Sequence, residues 1–137
     1  MSLWKRELEV VQKICGEIGS SRKMVPEHLT RLLKQFGDRY KNAMKLVEEG
    51  CVKKYVFKPS LRVLWVVKGR KGEYQVMAET NFCSCADYYF RVIDRKKGLC
   101  YHIIAQRLAE ALGKYGEEDL PDGEYSRLTD KLKAEEK

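Results

Sequence analysis

The chain has 137 residues, 44% of them apolar and 34% charged, a balance that fits one domain or one small domain with an added arm. No run of about eighteen apolar residues occurs, which excludes a membrane-spanning helix of the usual kind. The formal net charge is +7, and five cysteines form an odd set that suits a disulfide framework poorly.

Met1-Ser2-Leu3-Trp4-Lys5-Arg6 leads straight into a charged helical pattern, without the apolar stretch of a signal peptide. The expectation is a cytoplasmic protein with no membrane partner, in a compartment where clustered cysteines mean metal more often than disulfides. Trp4, Leu8, Val11, Cys15 and Ile18 then recur at helical spacing with charged residues between them, predicting an amphipathic helix that Gly19-Ser20-Ser21 stops. Pro26 suits a first helical turn, because its missing N–H has no intrahelical partner to lose. Leu29, Leu33, Phe36, Tyr40, Ala43 and Val47 continue at the same period, Gly37 bends or divides the helix, and Gly50 ends it. Residues 1–50 thus read as an N-terminal helical hairpin. Its apolar seams suit each other, the module that follows, or a second copy of the chain in a homo-oligomer.

From Cys51 the period changes to alternation. Val52, Tyr55 and Phe57, then Val63, Trp65 and Val67, then Tyr74, Val76 and Ala78 predict a small antiparallel sheet of three short strands. Pro59-Ser60 and the run from Lys68 to Gly72 supply the turns. Asn81 to Cys85 reads as a further strand or a tight knuckle. Residues 86–93 carry no decisive period, a short helix from Ala86 through Val92 being one reading, and Lys96-Lys97-Gly98 is loop. Cys100 to Leu112 predicts a helix with Ile104, Leu108 and Leu112 on one face. Residues 51–115 form one module. Residues 116–137 form an acidic, partly flexible tail with Pro121-Asp122-Gly123 and a weak helical stretch from Tyr125 to Lys133 that frays at its end. The fold class is α+β.

Two ligand pairs stand in this module, Cys83-Ser84-Cys85 and Cys100-Tyr101-His102, each with i, i+2 spacing. Three thiols and an imidazole so arranged are what a closed tetrahedral zinc site requires. A knuckle at a strand end turns both sulfurs to one ion, and the second pair opens a helix whose positive end stabilises the thiolate of Cys100. The product is a β-hairpin stapled to a helix, ββα-like, in which metal binding contributes on the order of 10 kcal/mol that so small a core lacks. A closed site leaves no position for substrate, so the motif points to a binding module and not to an enzyme. Any one of these cysteines alone reads better as a small buried hydrophobe; the matched pairs favour ligation. Cys15 and Cys51 fall outside the constellation and read as core, and His28 as a surface or capping residue.

The pattern Cys-x-Cys, a gap, then Cys-x-His resembles the SWIM zinc finger, with Cys83, Cys85, Cys100 and His102 in its four positions. Ile103-Ile104-Ala105 extends it to Cys-x-His-x-x-Ala, and with Tyr88-Tyr89-Phe90 and Val92 it is similar to the branch found in Shu-type recombination complexes and their small archaeal relatives. Ala105 lies one turn beyond His102, where a small side chain lets the helix approach the knuckle and a bulky one strains it. The resemblance covers roughly residues 52–113. It implies a non-catalytic partner of a RecA-type recombinase paralogue, acting in homologous recombination and DNA repair. The chain has no G-x-x-x-x-G-K-[ST] loop of its own, and Gly69-Arg70-Lys71-Gly72 does not satisfy that pattern.

Charge is unevenly spread: residues 1–50 carry ten Lys/Arg against seven Asp/Glu, residues 51–115 thirteen against five, and residues 116–137 four against eight. Such a basic middle block suits a polyanion, with DNA a candidate partner and RNA not distinguished from it. Lys53, Lys54, Lys68, Arg70 and Lys71 around the hairpin, with Arg95, Lys96 and Lys97 before the second ligand pair, are the candidate phosphate contacts. The alternative is a well-solvated lysine-rich surface, with the tyrosines filling the core. A stand-alone nucleic-acid-binding finger, such as a transcription or mobile-element accessory factor, is the second function reading. The acidic tail is expected to shield the basic block when no polyanion is present.

Overall fold

A computed structural model of the chain describes residues 3–69, 72–77, 82–83 and 99–135. Helix α1 runs Leu3–Ile18, α2 Pro26–Phe36, α3 Asp38–Glu48, α4 Tyr101–Leu112 and α5 Tyr125–Glu135; strands β1 to β5 run Val52–Lys58, Arg62–Gly69, Gly72–Met77, Phe82–Cys83 and Gly116–Pro121. Among the described residues no helix is long and apolar enough to cross a membrane. Cys85, the 86–93 segment with Tyr88-Tyr89-Phe90, Arg95-Lys96-Lys97, Arg70-Lys71 and Ala78 lie outside the described residues.

The predicted second helix is divided. Gly37 adopts φ 58°, ψ −124°, a conformation that favours glycine, and the chain turns there from α2 into α3. Tyr40, Ala43 and Val47 face the core in α3 as the period predicts, but α2 buries His28, Leu32 and Phe36 instead of Leu29 and Leu33. Those two stay exposed at 41% and 37%. The N-terminal region is therefore three helices, not a hairpin of two. His28 is buried and caps α2, its Nδ1 accepting the Val25 N–H at 3.3 Å while its Nε2 meets Glu17 at 3.3 Å.

The sheet has the order β4-β3-β2-β1-β5. Its first four strands pair antiparallel, as the alternation predicts, with Val52 opposite Val67 and Trp65 opposite Val76. The fifth was not legible as a strand: Gly116–Pro121 lies parallel to β1 along the sheet edge, in the segment that reads from sequence as acidic tail. Only Leu120 in it is even partly buried, so it carries no hydrophobic period. Backbone pairing and cross-strand charge hold it instead. Lys53 meets Glu118 at 2.8 Å, Lys58 meets Asp119 at 2.9 Å, and Lys54 stands 4.0 Å from Glu117. Asp122, just beyond, accepts hydrogen bonds from the Ser60 hydroxyl at 2.7 Å and the Ser60 N–H at 3.1 Å, tying this edge to the β1–β2 turn.

Both faces of the sheet are covered. Val52, Trp65, Val67 and Val76 share one core with Leu8, Val11, Ile14 and Ile18 of α1, with α2 and α3, and with α4. Helix α4 is apolar almost all round, as suits a helix at the centre of a core, with Ile104, Ala105, Leu108 and Ala109 fully enclosed. The N-terminal helices thus pack on the strand-and-helix module. On the opposite face Phe57, Leu64 and Val66 meet Leu132 of α5, with Phe57 and Tyr125 edge to face at 5.0 Å. Cys15 packs beside the main core, and burial pushes its thiol up to about 11, which keeps it protonated and inert near neutral pH.

Candidate metal centre

Helix α4 begins where the second ligand pair stands. Cys100 is its N-cap, extended at φ −71°, ψ 150°, and is almost wholly buried. Its position places it at the positive end of the helix dipole. His102 follows in the first turn and is 4% exposed. Its ring lies beside Tyr101 and Tyr74, at centroid distances of 4.3 and 4.6 Å. Neither Nδ1 nor Nε2 has a hydrogen-bond partner among the described residues. Burying a polar nitrogen without a partner costs about 1–3 kcal/mol, so an imidazole left in this state is unusual.

Gly69, at the end of β2, faces the same ring. A Cβ there would come within 2.9 Å of His102 Nε2 and 2.8 Å of Tyr74 Cε2, so only glycine allows this close approach. Strand β4 completes the arrangement at the level of the backbone. Cys83 occupies the register position opposite Val76, whose side chain belongs to the main core, and β4 lies against α4. The fold therefore brings the strand of Cys83, the N-cap Cys100 and His102 to one edge of the sheet. Cys85 lies outside the described residues, and among those described no three Cys, His, Asp or Glu side chains cluster closely enough to hold an ion. What is described fits a zinc ligand set: a buried cysteine at a helix N-terminus, an imidazole with no hydrogen-bond partner among the described residues, and a glycine that allows close approach to it. Ala105 is fully buried one turn beyond His102.

The basic residues distribute differently. Lys53 and Lys54 carry their charge alongside the carboxylates of β5, and Glu118 raises the Lys53 pKa by its hydrogen bond. Lys54 also lies over the rings of Trp65 and Tyr115 at 5.7 and 6.0 Å. Lys68 is exposed, and with Lys45 it lines an open cleft of about 490 Å³ that also includes Glu49, Cys51, Gly69 and Tyr101. Arg70, Lys71, Arg95, Lys96 and Lys97 fall outside the described residues.

One feature beside the centre is not among the residues picked out from sequence. Glu7 of α1 is 1% exposed and forms a two-pronged ion pair with Arg39 of α3, at 2.8 and 2.6 Å. It also accepts the N–H of Leu99 at 2.9 Å, and Arg39 donates to the Leu99 carbonyl at 3.0 Å. The signal was present, since Glu7, Val11, Ile14 and Ile18 share one helical face and a carboxylate stands in an apolar phase.

No family model and no solved structure matches the chain. Curated relatives do. A zinc finger SWIM domain-containing protein 7 homolog of Dictyostelium discoideum is 31% identical over 117 residues, covering 84% of this chain and 75% of that protein. Zinc finger SWIM domain-containing protein 7 of Danio rerio is 28% identical over 131 residues, 93% of this chain and 90% of its own length. An uncharacterized protein of Archaeoglobus fulgidus is 35% identical over 102 residues, 74% and 78% of the two chains.

Proposed function

The chain belongs to the SWIM zinc-finger family, and from that premise we propose that it is a non-catalytic zinc-binding adaptor, which joins a RecA-type recombinase paralogue to DNA in homologous recombination and repair. Cys83, Cys85, Cys100 and His102 hold the ion. When bound, zinc supplies a four-way crosslink between the β4 knuckle and the start of α4, with no position left for substrate. The observation that carries the zinc assignment is His102: a buried imidazole with both nitrogens lacking a hydrogen-bond partner among the described residues.

Two features favour a protein partner over DNA as the main contact. Leu29 and Leu33 of α2, with Val25 at its N-cap, are exposed apolar residues, the kind of surface a protein partner covers. The carboxylates of β5 meet the lysines of β1, so that edge offers little net positive charge to phosphate. DNA contact then falls to Lys68 and the basic residues beyond it.

The test is zinc analysis and co-purification on one sample. The expected result is one zinc per chain, lost in His102→Ala, and retention of a RecA-type paralogue from the source organism. A zinc-free protein sinks the metal assignment, and failure of every endogenous paralogue to bind sinks the adaptor reading.

A further inference from the structure

Glu7 poses a problem of cost. A carboxylate taken almost entirely out of water is expensive even when paired, and apolar residues of similar volume often serve stability as well or better. Two groups meet it with three hydrogen bonds, the Arg39 guanidinium twice and the Leu99 N–H once, and Arg39 also donates to the Leu99 carbonyl. Both polar backbone atoms of Leu99 are thereby engaged by one ion pair whose members come from α1 and α3. The Leu99 carbonyl belongs to the rigid peptide plane that also contains the Cys100 nitrogen and Cα. The Leu99 N–H belongs to the plane before it. Fixing both leaves the chain little freedom in how it enters Cys100, the residue that opens α4 and offers a buried sulfur to the metal.

We propose that Glu7 and Arg39 are positioning residues of the metal centre: as a neutral pair they clamp the backbone of Leu99 and thereby set Cys100 in place to ligate zinc. The inference rests on the reading of Cys83, Cys85, Cys100 and His102 as a zinc site. It gives the N-terminal helices a part in metal binding, although they contribute no ligand. Partners that orient ligands from behind are as much a part of a metal site as the ligands themselves. Here the partner acts on the main chain next to the ligand.

The experiment compares zinc dissociation constants, by competition with a chromophoric chelator, for the full chain and for Glu7→Gln, Arg39→Lys and Val11→Ala. Val11 is fully buried in α1 and is no member of the Glu7–Arg39–Leu99 hydrogen bonds, so its substitution lowers stability while leaving every bonded group in place. Glu7→Gln and Arg39→Lys are expected to weaken zinc binding on the order of 10- to 100-fold, while Val11→Ala binds zinc with the unsubstituted constant. Cobalt(II) in place of zinc should show altered d–d absorption in the two clamp variants and an unchanged spectrum in Val11→Ala. If Glu7→Gln does not fold, Arg39→Lys decides alone, because it keeps the Glu7 carboxylate on the Leu99 N–H. Clamp variants that melt earlier yet bind zinc with the unsubstituted constant would overturn the proposal. An unsubstituted chain that takes up no zinc would instead remove the zinc reading beneath it.

Discussion

The two faces of the sheet are built on different scales. One supports a core shared by α1, α2, α3 and α4, which also encloses the Glu7 carboxylate, Cys100 and His102. The other is closed by α5 alone, through Leu132 against Phe57, Leu64 and Val66. The contrast changes what zinc is needed for. A ββα finger on its own depends on metal to fold, whereas here Cys100 and His102 belong to a core that four helices share. Metal then fixes an edge of a body that packing already holds together.

The largest lever on this contrast is metal removal. Chelation is expected to lower the thermal midpoint while the far-UV helical signal at 25 °C persists, because apolar packing between α1, α2, α3, α4 and the sheet holds the core. Loss of that signal on chelation would reduce the protein to a metal-dependent finger. Next come matched truncations on the two faces. Leu108→Ala, fully buried in α4, should cost about 3–5 kcal/mol in urea unfolding, and Leu132→Ala about 2–3 kcal/mol, since the thinner face collapses more readily around a cavity. Limited proteolysis should release α5 in Leu132→Ala with zinc content unchanged, and equal costs on both faces would erase the distinction. Gly69→Ala should cost about 1–3 kcal/mol through its clash with His102 and Tyr74, and should weaken zinc binding as well. The smallest effect belongs to the β1–β5 edge. Replacing Glu117, Glu118 and Asp119 by their amides should change stability by less than about 1 kcal/mol, as exposed ion pairs do. The same triple variant should hold DNA more tightly at low salt if the acidic strand shields β1, and unchanged DNA binding would refute that shielding.

Sequence made most of the wide face legible. Alternation located β1, β2 and β3, and the run from Cys100 to Leu112 gave α4 with its N-cap, because side chains at these positions alternate or repeat in step with burial. Legibility failed where burial is not what holds an element. Strand β5 is an exposed edge kept by backbone pairing and opposite charge, so only the abrupt change from a basic block to an acidic one hinted at it. The phase of α2 was ambiguous, because Leu29 and Leu33 lead into Phe36 and Tyr40 at helical spacing as readily as His28 and Leu32 do, and only the second pair is buried. At the centre, the ligand spacing named Cys83, Cys85, Cys100 and His102. The Glu7–Arg39 pair could not be named from spacing, since its members lie 32 residues apart and meet only in the folded chain.

The hydrogen bond from Leu99 to Glu7 spans 92 residues. On the ribosome, α1 is complete long before its partner segment exists, so Val11, Ile14 and Ile18 remain uncovered until α4 has left the exit tunnel. Long-range closure of this kind slows folding and prolongs the exposure of apolar surface. Synthesis in a cell-free system should therefore show chaperone association that rises through the first hundred or so codons and falls once the α4 sequence emerges. A carboxylate on the otherwise apolar face of α1 has a use during that interval, keeping the waiting helix wetter than a full hydrophobic stripe would be.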